Sequence, residues 1–429
     1  PPEDEHEDDD EAPDDYEDAP EDEPAPEAPV ALDPDDLAFL DLDPDELADL
    51  LGLPEGVVTL GWLCLGWPDE RPPSPGLERA AWSKKTPLEQ VVLRERWPAD
   101  EGAPQQPVSH LRGPEPTRLV GATDAADELL SPPESLGVLD RALNRVLAVG
   151  AQDVTGGTLV LAGADHPVTG LGVSAFPAAT THDVLAATVA GTSLGAATAK
   201  GAGLAVVGVD AGVARAVSGS YDARPAGERG DLASTDAMTL ADVEALVAAG
   251  RDIGTGAAVT GLVCLGEVGV GNTTVAAALA CALLDLEPQD AVGLGSGSDA
   301  DMVARKREVV AAALDRTKGE SDPLRLLAMV GGPEIALLTG VTLGAAAAGA
   351  PVVLDGLAAS LPGVIAARLE PAAQAYLLAG QVSRERAHAL VLRELGLEPL
   401  LDLRTPVVAA KLKNKAGIIG AARLAAKGN

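Results

Sequence analysis

Aromatic side chains are nearly missing from this 429-residue chain, where Phe, Trp and Tyr together make up 2%. That scarcity argues against a nucleic-acid platform built on base stacking and against a large aromatic core. Cysteine is equally rare. Cys64, Cys264 and Cys281 form no CxxC pair, and the last two fall in apolar runs, so they read as small core residues. The five histidines show no HExxH or comparable ligand spacing, and no metal site is expected. No signal peptide is evident and no apolar run is long enough to span a membrane, so a cytoplasmic location is expected. The chain opens on Pro1, as a fragment or a processed form would.

Lys and Arg are absent from residues 1–70, which hold 27 of the 66 acidic residues. Beyond residue 70, 39 acidic residues face 31 basic ones, an ordinary balance for a soluble enzyme. The formal charge of −35 is therefore concentrated at the N-terminus. No basic stripe is left to neutralise a nucleic-acid backbone, and neither nucleic acid nor an anionic membrane is expected as a partner.

Residues 1–29, with 16 acidic residues and several prolines, read as a disordered, solvated acidic tail. In residues 30–100, Asp33-Pro and Asp43-Pro look like helix starts, with Asp as N-cap and Pro in the first helical position. Val57 to Gly66 reads as a short strand, and residues 101–125 as a polar linker.

What the chain has in plenty is Ala and Gly. From about residue 126, β-branched runs ending in Gly or Asp recur at 158–163, 204–210, 259–266 and 351–356. Alanine-rich stretches such as 183–199, 240–249 and 301–314 lie between them and read as helices. Strands alternating with helices predict an α/β fold, a parallel sheet with helices on both faces (Rossmann-like), plus a small helical part. Ligands of such sheets gather at the carboxyl ends of the strands, where the glycine turns fall here.

The most informative of these turns is Leu265-Gly-Glu-Val-Gly-Val-Gly-Asn-Thr-Thr274. It follows an apolar run and opens the alanine-rich stretch Val275 to Leu284, the pattern of a strand, a glycine turn and a helix N-terminus. Gly269 and Gly271 allow close backbone approach, Asn272 or Thr273 is placed to cap the helix, and the N–H groups at its end suit a phosphate. Glu267 sets a carboxylate beside that anion. A second glycine cluster, Gly293-Leu-Gly295, precedes Lys306, which reads as lying one turn into the next helix. Neither cluster completes GxGxxG, and no Lys precedes Thr273 as a Walker A loop requires.

Several further motifs occur in one order: Ser131-Pro-Pro-Glu-Ser-Leu-Gly-Val-Leu-Asp140, Ala164-Asp-His166, Gly172-Val-Ser-Ala-Phe-Pro177, the 266–274 turn, Ala304-Arg-Lys306, Gly331-Gly-Pro-Glu-Ile335 and Val352-Val-Leu-Asp-Gly356. Together they resemble the nicotinate-nucleotide:dimethylbenzimidazole phosphoribosyltransferases of cobalamin synthesis, from about residue 126 to 404. The resemblance implies a homodimer without cofactor that moves 5-phosphoribosyl from nicotinate mononucleotide to dimethylbenzimidazole. It also implies Glu267 as an active-site carboxylate; backbone donors plus one point charge suit the phosphate, which is assigned to Gly269, Gly271, Gly295 and Lys306 with Asn272 and Thr273. Ser174, Phe176 and Pro177 correspond to the base pocket, and Glu334 and Asp355 are weaker site candidates. Within residues 30–100, Leu47–Val58, Leu63–Gly66, Leu77–Trp82 and Arg94–Trp97 resemble the C-terminal end of the dimethylbenzimidazole synthases, which have a nitroreductase-like fold. A fusion of consecutive steps is the arrangement these two resemblances imply.

One departure stands out. The family's general-base glutamate follows the segment matched by Leu400–Leu403, yet this chain has no glutamate after Glu398. Two other functions therefore stay open: a catalytically impaired homologue that binds the nucleotide or the base, and a scaffold fragment.

Overall fold

The computed structural model describes residues 109–114, 116–127, 136–150, 154–293 and 299–400. The acidic tail, the synthase-like segment, Cys64, Gly295 and the stretch after Leu400 lie outside the described residues. The chain divides between residues 104 and 105, and everything described belongs to the second unit.

Two helices come first, α1 (Pro116–Asp127) and α2 (Val138–Ala148), packed on each other. All of α1 but its last two residues falls in the stretch expected as linker, 101–125. The sheet follows, with strands β1 (Gly157–Gly163), β2 (Leu204–Asp210), β3 (Tyr221–Asp222), β4 (Leu262–Val268), β5 (Val352–Leu354) and β6 (Leu377–Ala379). All six are parallel, in the order β3-β2-β1-β4-β5-β6. The connection reverses direction between β1 and β4, so a crevice opens beyond their carboxyl ends. Register places Ala162 opposite Glu267 and Gly163 opposite Val268.

β1 is buried on both faces, which is why it reads as a continuous apolar run. Val160 and Ala162 join the main core with Leu246 and Leu337, whereas Leu161 turns the other way, onto Leu185, Val213 and Val217. Leu246 lies on α5 (Leu240–Ala258) and Leu337 on α10 (Pro333–Ala347); Leu185 lies on α3 (Ala179–Val189). The expected two-faced α/β sheet is thus present.

Local expectations need correction in three places. The single helix expected over 183–199 is two, α3 and α4 (Leu194–Gly201). Gly191 takes φ +75° between them, and Ser193 caps the second by accepting the Ala196 N–H at 3.1 Å. The helix expected over 240–249 runs on to Ala258, which pushes the next strand from 259–266 to 262–268. Finally, 351–356 contributes only three strand residues.

The alanine and glycine content has a packing reason. A Cβ at Gly250 would collide with the Leu337 carbonyl, and one at Gly340 with the Val247 carbonyl. α5 and α10 therefore touch backbone to backbone beneath the sheet, a separation that larger residues prevent.

A cleft at the carboxyl ends of β1 and β4

The Gly269–Gly271 turn leads from β4 into α6 (Asn272–Leu284), a helix buried on nearly every side. Gly271 is its N-cap, at φ +88°, a left-handed conformation open to glycine at little cost. Asn272 is therefore the first helical residue and not the cap, a correction to the expectation. Its side chain faces both ways: Oδ1 accepts the Thr273 N–H at 2.8 Å, and Nδ2 donates to Glu267 Oε2 at 2.5 Å. Gly269 serves packing as well, because a Cβ there would stand 2.6 Å from the Ala164 carbonyl and 2.7 Å from His166 Nε2.

The turn is tied to its surroundings. The buried Thr181 on α3 accepts the Val270 N–H at 3.1 Å, and the Ala164 N–H reaches the Val268 carbonyl at 3.0 Å. The segment between β1 and α3, which carries Ser174 and Phe176, is thereby joined to the turn.

A cleft of about 240 Å³ lies here, lined by Ser174, Phe176, Glu267, Gly269, Gly271, Asn272, Thr273 and Lys306, together with Val173, Thr180, Thr181, Val268 and Val270. Eight residues chosen from the sequence thus share one cavity. Phe176 is half-exposed, and Ser174 Oγ accepts its N–H at 3.2 Å, which bends the loop over the cleft. A larger cavity of about 490 Å³ lies by Cys281 and Lys318, at the carboxyl end of α6. Its size is no guide to the chemistry, because the helix N-terminus and Glu267 face the smaller cleft.

Pro177 is not among the lining residues. It is exposed, and its carbonyl accepts the Thr180 N–H at the start of α3. Lys306 lies further along its helix, α8 (Ala300–Thr317), than the single turn expected. It is buried, with its aliphatic stem covered. Glu334 and Asp355 stand outside the lining as well. Glu334 is completely buried in the first turn of α10, its Oε1 3.3 Å from His166 Nε2. Asp355 is exposed past β5, where Gln381 Nε2 donates to its Oδ1 at 2.6 Å.

The electrostatics separate Glu267, which lines the cleft, from the buried Glu334. Burial, then the Glu334 charge, push the Glu267 carboxyl up to about 7, with Asp355 adding to the rise and the Asn272 hydrogen bond opposing it. Burial also works to raise Glu334, but His166 and Arg229 outweigh it and hold that carboxyl below its ordinary range. One buried carboxylate stays charged while its neighbour titrates near neutrality, the division of labour that acid–base chemistry exploits. Burial lowers the Lys306 ammonium, against the pull of Glu385.

Sequence reasoning misses Thr180, Thr181 and Glu385. Thr181 works through a single hydroxyl and follows another Thr. Glu385 sits in Arg384-Glu-Arg386, which looks like a solvated charge run. The two cysteines lie away from acid–base chemistry, since burial pushes Cys264 up to about 11 and Cys281 to about 12.

A family described as phosphoribosyltransferase matches residues 113–407. The nicotinate-nucleotide–dimethylbenzimidazole phosphoribosyltransferase of Thermus thermophilus is 36% identical over 285 residues, 65% of this chain and 85% of that protein. The Xanthomonas axonopodis pv. citri enzyme of the same name is 38% identical over 288 residues, covering 65% and 82%. A crystal structure of the Thermus thermophilus enzyme superposes with a TM-score of 0.62 at 35% identity, over 68% of this chain and 90% of that one. The chain belongs to the nicotinate-nucleotide–dimethylbenzimidazole phosphoribosyltransferase family.

Proposed function

We propose that this chain transfers 5-phosphoribosyl from nicotinate mononucleotide to 5,6-dimethylbenzimidazole in the cleft at the ends of β1 and β4. The products are nicotinate and α-ribazole 5′-phosphate, used in assembling the nucleotide loop of cobalamin. Family membership supports the reaction. The observation that carries the site is the convergence of a helix N-terminus, a buried lysine, a titrating carboxylate and Phe176 on one cavity.

The chemistry divides among them. The donor's nicotinate is a cationic pyridinium, so its nitrogen leaves with the electron pair of the breaking C1′–N bond and needs no proton. Positioning is the main task. The Asn272 N–H is bonded to the Gly269 carbonyl, the Val270 N–H to Thr181 and the Thr273 N–H to Asn272. The 5′-phosphate grip is therefore assigned to the Gly269 and Gly271 N–H groups, the α6 dipole and Lys306. Phe176 and Ser174 flank the benzimidazole. As its lone-pair nitrogen bonds to C1′, the proton on its other ring nitrogen becomes acidic, and Glu267 takes that proton.

A homodimer in the cytoplasm belongs to the same proposal. No helix among the described residues is long and apolar enough to cross a membrane. The absence of glutamate beyond Glu398 favours a second reading, a binding homologue with impaired turnover. Calorimetry with nicotinate mononucleotide, run beside a nicotinate-release assay, separates them: heat without product supports the second.

A further inference from the structure

His388 is completely buried near the start of α12 (Arg386–Glu394). Its Nδ1 accepts the Ser383 backbone N–H at 2.8 Å and lies 3.0 Å from Ser383 Oγ. Its Nε2 lies 3.0 Å from Ser360 Oγ, on α11 (Leu357–Leu369). A nitrogen that accepts an N–H carries no proton of its own, so Nε2 holds the ring hydrogen and donates it to Ser360. Burial lowers the imidazole to about 4, in keeping with a neutral ring.

Those bonds tie the 380–385 loop to α11 at the carboxyl edge of the sheet. Ser360 sits on the helix that directly follows Asp355 and Gly356. Ser383 belongs to the 380–385 loop after β6, which carries Gln381, bonded to Asp355, and Glu385, the N-cap of α12. The Glu385 carboxylate packs on Gly293, where a Cβ would stand 2.6 Å from its Oε2, and its charge attracts the Lys306 ammonium. An apolar side chain in place of His388 would fill the space but strand the Ser383 N–H and the Ser360 hydroxyl.

We infer that His388 is a positioning residue for the nucleotide phosphate: by accepting the Ser383 N–H it fixes the 380–385 loop, and with it the Glu385 charge that acts on Lys306 at the cleft. The inference rests on the assignment of Lys306 to the phosphate made above. Of the two ring nitrogens, Nδ1 carries the effect. Asparagine places its side-chain oxygen near the Nδ1 position and accepts the Ser383 N–H, whereas glutamine reaches toward Ser360 and leaves Ser383 without an acceptor.

The test compares full-length wild type, His388→Asn and His388→Gln by amide hydrogen exchange over residues 381–385, by KM and kcat for nicotinate mononucleotide, and by Tm. The expected result is slow exchange and a KM within about threefold of wild type for His388→Asn. For His388→Gln, exchange quickens and KM rises about tenfold with kcat little changed. Equal effects in both variants, tracking a common loss of Tm, would overturn the inference, as would a normal KM beside a loosened loop. If the wild type neither turns over nor binds the nucleotide, the Lys306 assignment falls with the proposed function. The exchange difference between the two variants then decides alone whether His388 fixes the loop.

Discussion

Asn272 Nδ2 donates to Glu267 Oε2 at 2.5 Å, so the first residue of α6 grips the carboxylate at the end of the preceding strand. A donor stabilises the charged form, and this bond works against the rise that burial imposes on Glu267. Asn272→Ala should move the acidic limb of the kcat/KM profile to higher pH by roughly one unit. Activity at pH 7 falls and recovers in more alkaline buffer. An unmoved limb would show that Glu267 does not govern it.

Glu267→Gln keeps the shape of the side chain but removes the proton acceptor. We expect kcat to fall by about 10²–10⁴ with nucleotide binding nearly unchanged. Stability should move the other way. The folded-state carboxyl titrates near 7, above its ordinary value of 4.5, so between those values the folded chain keeps a proton that the unfolded chain has released. Stability present below the lower value is lost as pH climbs to the upper one, by up to about 3 kcal/mol. Glu267→Gln should therefore match wild type in Tm near pH 4 and exceed it at pH 8.

Lys306→Ala tests the phosphate link. A charge-assisted hydrogen bond contributes about 1.5–3 kcal/mol, so the nucleotide KM should rise on the order of tenfold to a hundredfold, with a smaller effect on kcat. A KM unchanged by the substitution removes the lysine from the phosphate site.

Gly340→Ala tests the fold beneath the cleft. The added Cβ collides with the Val247 carbonyl, and rigid backbone on both sides leaves it nowhere to go. Urea unfolding should show a loss of at least about 1–3 kcal/mol. An unchanged midpoint would mean that α5 and α10 lie further apart than described.

The two longer strands that open the sheet are legible in the sequence. β1 and β2 lie where their apolar runs end in Gly or Asp; β1 is covered on both faces and its run is unbroken, while β2 is fully buried only at Val209 and Asp210. Alanine hides the rest. Nothing in the even composition of 183–199 marks Gly191 as a break, and β6 is too short for any periodicity to register. At the site, Glu267, the glycine turn and Lys306 can be found because loops at one sheet edge converge, whereas Ser174 and Phe176 enter through the family resemblance. Gly269 reads as a point of ligand approach, yet the same freedom also admits the His166 ring, a contact between distant segments that no local pattern encodes. Pro177 shares a motif with Phe176 but lies outside the cleft lining, just before α3, where its carbonyl accepts the Thr180 N–H. The links from Thr181 to the turn and from His388 to the 380–385 loop are tertiary, and single residues carry no signal of them.

The most direct test of the whole account is a single incubation. Full-length protein with nicotinate mononucleotide and 5,6-dimethylbenzimidazole, followed by chromatography, should show nicotinate and α-ribazole 5′-phosphate appearing in equal amounts. Release should rise with pH through about 7, as Glu267 loses its proton. Folded protein that binds the mononucleotide and yields neither product would contradict catalysis by this chain and leave a binding protein in its place.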